Sequence, residues 1–67
     1  MILDYIVDCT AGIPGQDGRR FRFIVTTTSR KAAWKVAAAE AHGHLNSFEV
    51  LRSLDVWLPL DRGVSIP

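Results

Sequence analysis

The sequence predicts an α+β domain: a three-stranded antiparallel sheet in the order 2-1-3, with one helix packed on one face and ββαβ as the chain order. Three observations carry this expectation. Residues 2–10 and 19–27 alternate apolar and polar side chains with period two. Residues 29–43 switch to an alanine-rich run with helical spacing, and residues 47–60 return to alternation.

In the first segment, "ILDYIVDCT", Leu3, Tyr5, Val7 and Cys9 point one way and Ile2, Asp4, Ile6, Asp8 and Thr10 the other, as on a strand with one buried face. "AGIPGQDG" follows with three glycines and a proline, which marks a loop. "RRFRFIVTT" resumes the alternation. Phe21, Phe23, Val25 and Thr27 are expected inward, and Arg20, Arg22, Ile24 and Thr26 outward. The two strands then form a hairpin.

"SRKAAWKVAAAEAHG" is rich in the best helix former and poor in β-branched residues. Thr28 or Ser29 can cap its amino end. Ala33, Trp34, Ala37 and Ala41 are expected on the buried face, with Val36 and Ala38 beside them; Lys31, Lys35 and His42 fall on the solvated side. Gly43 suits a left-handed residue just past the helix end. In "SFEVLRSLDVWLPL", Phe48, Val50, Leu54, Val56 and Leu58 alternate inward, with Arg52 as the exception. Glu49, Leu51, Ser53, Asp55 and Trp57 face outward, and Pro59 ends the strand because it cannot donate to a ladder. A right-handed crossover from the second strand to the third places the first in the middle. Residues 1–58 are expected to form the domain and residues 59–67 a C-terminal tail.

Composition narrows the function. A chain of 67 residues is one small domain, and domains of this size often need disulfides, metals or self-association. Cys9 is the only cysteine, so no disulfide closes within the chain, which fits a reducing compartment. The formal net charge of +1 gives no global case for nucleic acid. No apolar run is long enough to span a bilayer, and Met1-Ile2-Leu3-Asp4 lacks the pattern of a signal peptide, so a cytoplasmic protein without membrane contact is expected.

Candidate chemistry is sparse. His42-Gly43-His44 would need one or two more ligands to hold zinc, and no spacing brings Cys9 to them, so no metal or cofactor is expected. The glycines at 12, 15 and 18 precede a strand instead of a helix and lack the Gly-Lys-Ser/Thr ending of a phosphate loop. Cys9 alternates inward, where a thiol is usually inert. Ser29, Ser47, Ser53 and Ser65 have no evident histidine and acid partners, so no catalytic group is assigned and the chain is read as a non-enzyme. Arg19, Arg20 and Arg22 open the second strand, and Arg30 and Lys31 open the helix. These five would carry a nucleic-acid role, although the topology puts the two groups at opposite ends of the sheet.

The face not covered by the helix is the richer clue. It should carry Ile2, Ile6, Ile24, Leu51 and Trp57 among paired charges, which suggests a protein interface. Trp57 is the expected centre of contact. The alternatives are that the tail folds back over this face through Leu60, Val64 and Ile66, or that a β-bulge in the third strand inverts the assignment and buries Trp57.

"FRFIVTTTSRKAAWKVAAAEAHGHLNSFEVLRSLDV" resembles a pattern of small accessory proteins of actinobacterial phages. In these a strand ending in threonines or alanines leads through a Ser/Asp cap into an alanine-rich helix with an Ala-Trp pair, and a Gly-His or Gly-Gly stop precedes the next strand. The resemblance implies a factor that binds and inhibits a host protein. The chain is also distantly similar to helix-on-sheet antitoxins of the HicB type, but it lacks their typical sequence before the second strand and their DNA-binding module. The expectation is therefore a non-enzymatic protein-binding module, a homodimer with a host protein as partner. The alternative is a small nucleic-acid-binding protein.

Overall fold

The computed structural model describes residues 1–62, with side chains through Leu60. Strands β1 (Leu3–Gly12) and β2 (Arg19–Thr27) precede helix α1 (Arg30–Gly43). Strand β3 (Val50–Trp57) and a short 3-10 helix (Pro59–Arg62) follow. The sheet has the order β2-β1-β3, and β1 runs antiparallel to both neighbours, as the sequence predicts.

Strand β1 extends two residues further than expected, because Ala11 and Gly12 still pair with β3. The remaining loop is built on a tight turn. Gln16 N–H donates to the Ile13 carbonyl at 3.0 Å, with Pro14 and then Gly15 between them. Gly15 has φ of 84°, the left-handed value that follows proline in a type II turn. At Gly18 the constraint is space: a Cβ there would lie 2.6 Å from the Ala11 carbonyl oxygen and 2.8 Å from an Arg52 nitrogen. Arg52 enters this gap from β3 and donates to the carbonyls of Ile13 and Gln16, at 2.9 and 2.6 Å. The loop is thus held from outside by one guanidinium.

Helix α1 begins where Ser29, in extended conformation, accepts the Ala32 N–H on its hydroxyl at 3.2 Å. It ends differently from expectation. Gly43 is the last helical residue and has no positive φ, and His44 follows in right-handed conformation with its N–H bonded to the Ala41 carbonyl at 3.1 Å.

Ala33, Ala37 and Ala41 recur every fourth residue, and all three are fully buried against the sheet. Around them lie Tyr5, Val7, Cys9, Val25 and Val56, with Leu3, Phe21, Phe23, Leu51, Leu54 and Leu58 half-buried at the margin. Trp34 does not join this core. It is 40% exposed, because one residue beyond Ala33 turns the side chain about 100° away from the alanine stripe.

Strand β3 departs most from its predicted alternation. Cys9 pairs with Leu54 and Thr10 with Ser53, but Ala11 pairs with Leu51, so Arg52 is an extra residue and forms a β-bulge. The bulge inverts the residues before it and leaves those after it as expected. Leu51 therefore lies on the helix side, against the core, and not on the open face. Val50 is exposed opposite Gly12, and Phe48 precedes the strand and is exposed. Leu60 is exposed; Val64 and Ile66, the other two tail residues expected over the sheet, lie outside the described residues.

The alanine stripe gives the first prediction. Ala37→Leu forces side-chain bulk into a fully closed contact and should destabilise the fold by about 1–3 kcal/mol. Urea unfolding should show a lower midpoint with an unchanged slope, and an unshifted midpoint would mean that the helix does not lie this close.

Candidate functional site

The open face of the sheet is ordered in rows, because each even-numbered residue of β1 projects there between its two partners. Thr26 and Asp4 form one row. Next come Ile24, Ile6 and Trp57, then Arg22, Asp8 and Asp55, then Arg20, Thr10 and Ser53. An apolar band thus crosses all three strands, flanked by polar rows. Thr26 donates to Asp4 at 2.6 Å, and the hydroxyls of Thr10 and Ser53 are 2.6 Å apart. An open depression of about 500 Å³ runs over the Arg22 and Arg20 rows, and no histidine lines it.

Trp57 lies on this face, as expected, but it is only 6% exposed. Its indole N–H donates diagonally to Asp8 Oδ2 at 2.8 Å, and the Arg22 guanidinium sits 5.7 Å from the ring centroid. Arg22 also donates to both Asp8 oxygens, at 2.6 and 3.3 Å. One carboxylate therefore ties β2, β1 and β3 together. The grouping also moderates a local repulsion, since Asp8 and Asp55 stand directly opposite each other in the ladder. Ile6, between Ile24 and Trp57, is 9% exposed.

Of the five residues expected to present an apolar interface, two remain open to solvent: Ile2 at 68% and Ile24 at 60%. Ile6 and Trp57 belong to the same face but serve as its buried floor. Leu51 is turned to the other side by the bulge at Arg52. Alternation assigns a side chain to a face; it does not tell whether a neighbouring ring lies over it.

The basic residues also divide. Arg19 makes two bonds to the Glu49 carboxylate, both at 2.9 Å, and a third to the His44 carbonyl at 2.6 Å, with its guanidinium 5.0 Å from the Phe21 ring centroid. It holds the helix end and the following connection, while Arg22 is paired with Asp8. Arg20 and Lys31 are exposed, and Arg30 extends over the Tyr5 ring at 5.8 Å. Arg30 and Lys31 are separated from Arg19 by the length of α1, about 20 Å. The five cations therefore form no single patch.

The connection from α1 to β3 contains a feature without a sequence signature. Glu49 N–H donates to the Asn46 carbonyl at 3.1 Å, and the Glu49 carboxylate accepts the Asn46 N–H at 2.7 Å. These reciprocal bonds close a turn in which Phe48 has φ of 69°, a conformation that costs a non-glycine residue roughly 1–2 kcal/mol. Hydrogen bonding from Arg19, then from Asn46, holds the Glu49 carboxyl down at about 2.

The two histidines are engaged separately. His42 Nδ1 donates to the Ala38 carbonyl at 2.7 Å, while the His44 ring lies against Phe21 and Phe23 at centroid distances of 5.4 and 5.3 Å. Among the described residues no group of three or more His, Cys, Asp or Glu side chains could hold a metal ion. Burial pushes the Cys9 thiol up, and the charge of Asp8 adds to it, so the thiolate is disfavoured. No helix among the described residues is long and apolar enough to cross a membrane. Comparison with protein-family models, curated proteins and solved structures finds no match for this chain.

Two outcomes test this geometry. Glu49 ionises in the folded state far below its usual value of 4.5, so its contribution to stability is complete above about pH 4.5 and is lost as the pH falls toward 2. The stability gap between the wild type and Glu49→Gln should therefore narrow across that window, and a gap independent of pH would contradict the Arg19–Glu49 clamp. Trp57→Ala should lower the unfolding free energy by about 3–5 kcal/mol in urea titrations, whereas an exposed contact residue would cost far less.

Proposed function

We propose that this chain is a non-enzymatic protein-binding module of the cytoplasm that acts as a homodimer and engages a host protein through the open face of its sheet. The observation that carries the reading is an apolar band across three strands, of which Ile24 is open to solvent while Ile6 and Trp57 are already buried. Ile2 and Ile24 remain exposed beside a buried floor, and Asp4, Thr26, Asp8 and Arg22 form a polar rim. An apolar centre with a hydrogen-bonded rim is the anatomy of protein interfaces. The rigid Trp57–Asp8–Arg22 grouping keeps the face in shape before binding, which lowers the ordering cost. The resemblance to phage accessory proteins adds the role: capture and inhibition of a host protein. The basic residues support a nucleic-acid role poorly, because Arg19 and Arg22 are already bonded to carboxylates.

Immobilised full-length chain should retain a specific protein from host lysate after nuclease treatment. Ile2→Asp, at an exposed position, should weaken that capture by about tenfold or more without changing thermal unfolding. Recovery of nuclease-sensitive material alone, or equal capture by Ile2→Asp, would overturn the reading.

A further inference from the structure

Strand β2 lies at an edge of the sheet. Among the described residues it pairs only with β1, so the other side of its nine-residue backbone is open to a further strand. Natural edge strands are commonly blunted by bulges, prolines, charged side chains or short length. The opposite edge has such a device in its backbone, the bulge at Arg52. The β2 backbone has none: it contains no proline, no glycine and no break in register from Arg19 to Thr27. Its charged residues are Arg20 and two arginines already bonded to carboxylates, Arg19 and Arg22.

We propose that two copies of this chain join through β2, antiparallel about a two-fold axis at Phe23, to make one continuous six-stranded sheet. This deepens the homodimer part of the proposed function. It uses the edge of the sheet, however, and takes only Ile24 from the face, leaving Ile2 exposed for a partner.

The strand is self-complementary in this register. With the axis at Phe23, Phe21 stands opposite the partner's Val25, Arg22 opposite the partner's Ile24, Arg20 opposite the partner's Thr26, and Arg19 opposite the partner's Thr27. Each pair keeps its side chains on matching faces, because the offset between the two residues is even. No arginine faces an arginine directly. Moving the axis to Arg22 sets that residue against itself, and moving it to Phe21 sets Arg20 against the partner's Arg22. Moving it to Ile24 leaves Arg19 and Arg20 without strand residues opposite them. The register that pairs the whole strand is therefore also one that separates its charges.

The side chains fit as well. Ile24, 60% exposed in the single chain, would be covered by the aliphatic stem of the partner's Arg22. That guanidinium is already bonded to Asp8 within its own chain, so its charge is partly neutralised before the strands meet. On the helix side, the half-buried Phe21 and Phe23 rings lie 6.2 Å apart and gain a second pair across the axis.

The test uses sedimentation velocity on the full chain over a range of micromolar concentrations, with circular dichroism to establish folding. The wild type should be a dimer. Ile24→Arg places a cation opposite the partner's Arg22 and should give a monomer; Ile24→Glu places a carboxylate there and should remain a dimer. A monomeric wild type would overturn the proposal. So would loss of the dimer in both variants, the outcome expected of face-to-face association or of an axis at Ile24, or its survival in both. Cross-linking serves where a charged variant does not fold. Arg20→Cys combined with Thr26→Cys should give a covalent dimer with a short bis-maleimide while neither single variant does, and failure of the double variant to cross-link would equally count against this register. Loss of the dimer with intact capture by the Ile2 face would leave the partner-binding reading standing.

Discussion

The buried face of the helix is alanine alone, and most of the architecture follows from that contact. Ala33, Ala37 and Ala41 have no exposed surface, so the α1 axis lies close above β1 and its neighbours. The proximity shields Tyr5, Val7, Val25 and Val56 efficiently, but α1 brings no large side chain to the space beneath it. The core is therefore thin. Its outer members, Phe21, Phe23, Leu51, Leu54 and Leu58, are only half-buried. A chain of this size buries only about 60% of its unfolded surface in any case, so contributions from outside the main core matter.

Two such contributions are visible. At one end of the molecule, Arg19 fastens the helix terminus to the turn before β3 through His44 and Glu49, while Arg52 fastens the glycine loop through Ile13 and Gln16. On the open face, Asp8 collects Arg22 and Trp57 and joins all three strands. Three arginines that could be taken for a cationic surface are thus engaged as connectors. Bidentate guanidinium geometry suits that task, because one side chain can satisfy several carbonyl or carboxylate oxygens at once.

The sequence reveals these features unevenly, for physical reasons. In β1 and β2 the alternation is unbroken and the faces are legible residue by residue. Ser29 and Pro59 likewise mark the boundaries they should, since capping and the lack of an N–H are local chemistry. Strand β3 is legible only after Arg52, because one inserted residue reverses the parity of everything before it. The misfit of Arg52 with the alternation is the visible trace of that bulge. Helical spacing puts Trp34 on the same face as the alanines, yet the every-fourth-residue alanines alone define the buried stripe. Trp57 and Ile6 are on the face that alternation assigns, but their burial comes with long-range contacts, such as those of Trp57 with Asp8 and Arg22, that alternation does not register. The left-handed Phe48 has no sequence trace, since the bonds that enforce it come from Asn46, Glu49 and Arg19.

A thin core, a continuous edge strand and a partly exposed apolar face support the proposed account, in which the fold is completed by association. If the folded state is a dimer and the unfolded state is not, mass action requires the unfolding transition to depend on protein concentration. Thermal unfolding of the full chain over about a hundredfold concentration range tests this most directly. The account predicts a midpoint that climbs steadily with concentration. A midpoint that stays fixed across the range would show that the single chain is stable alone, and would contradict it.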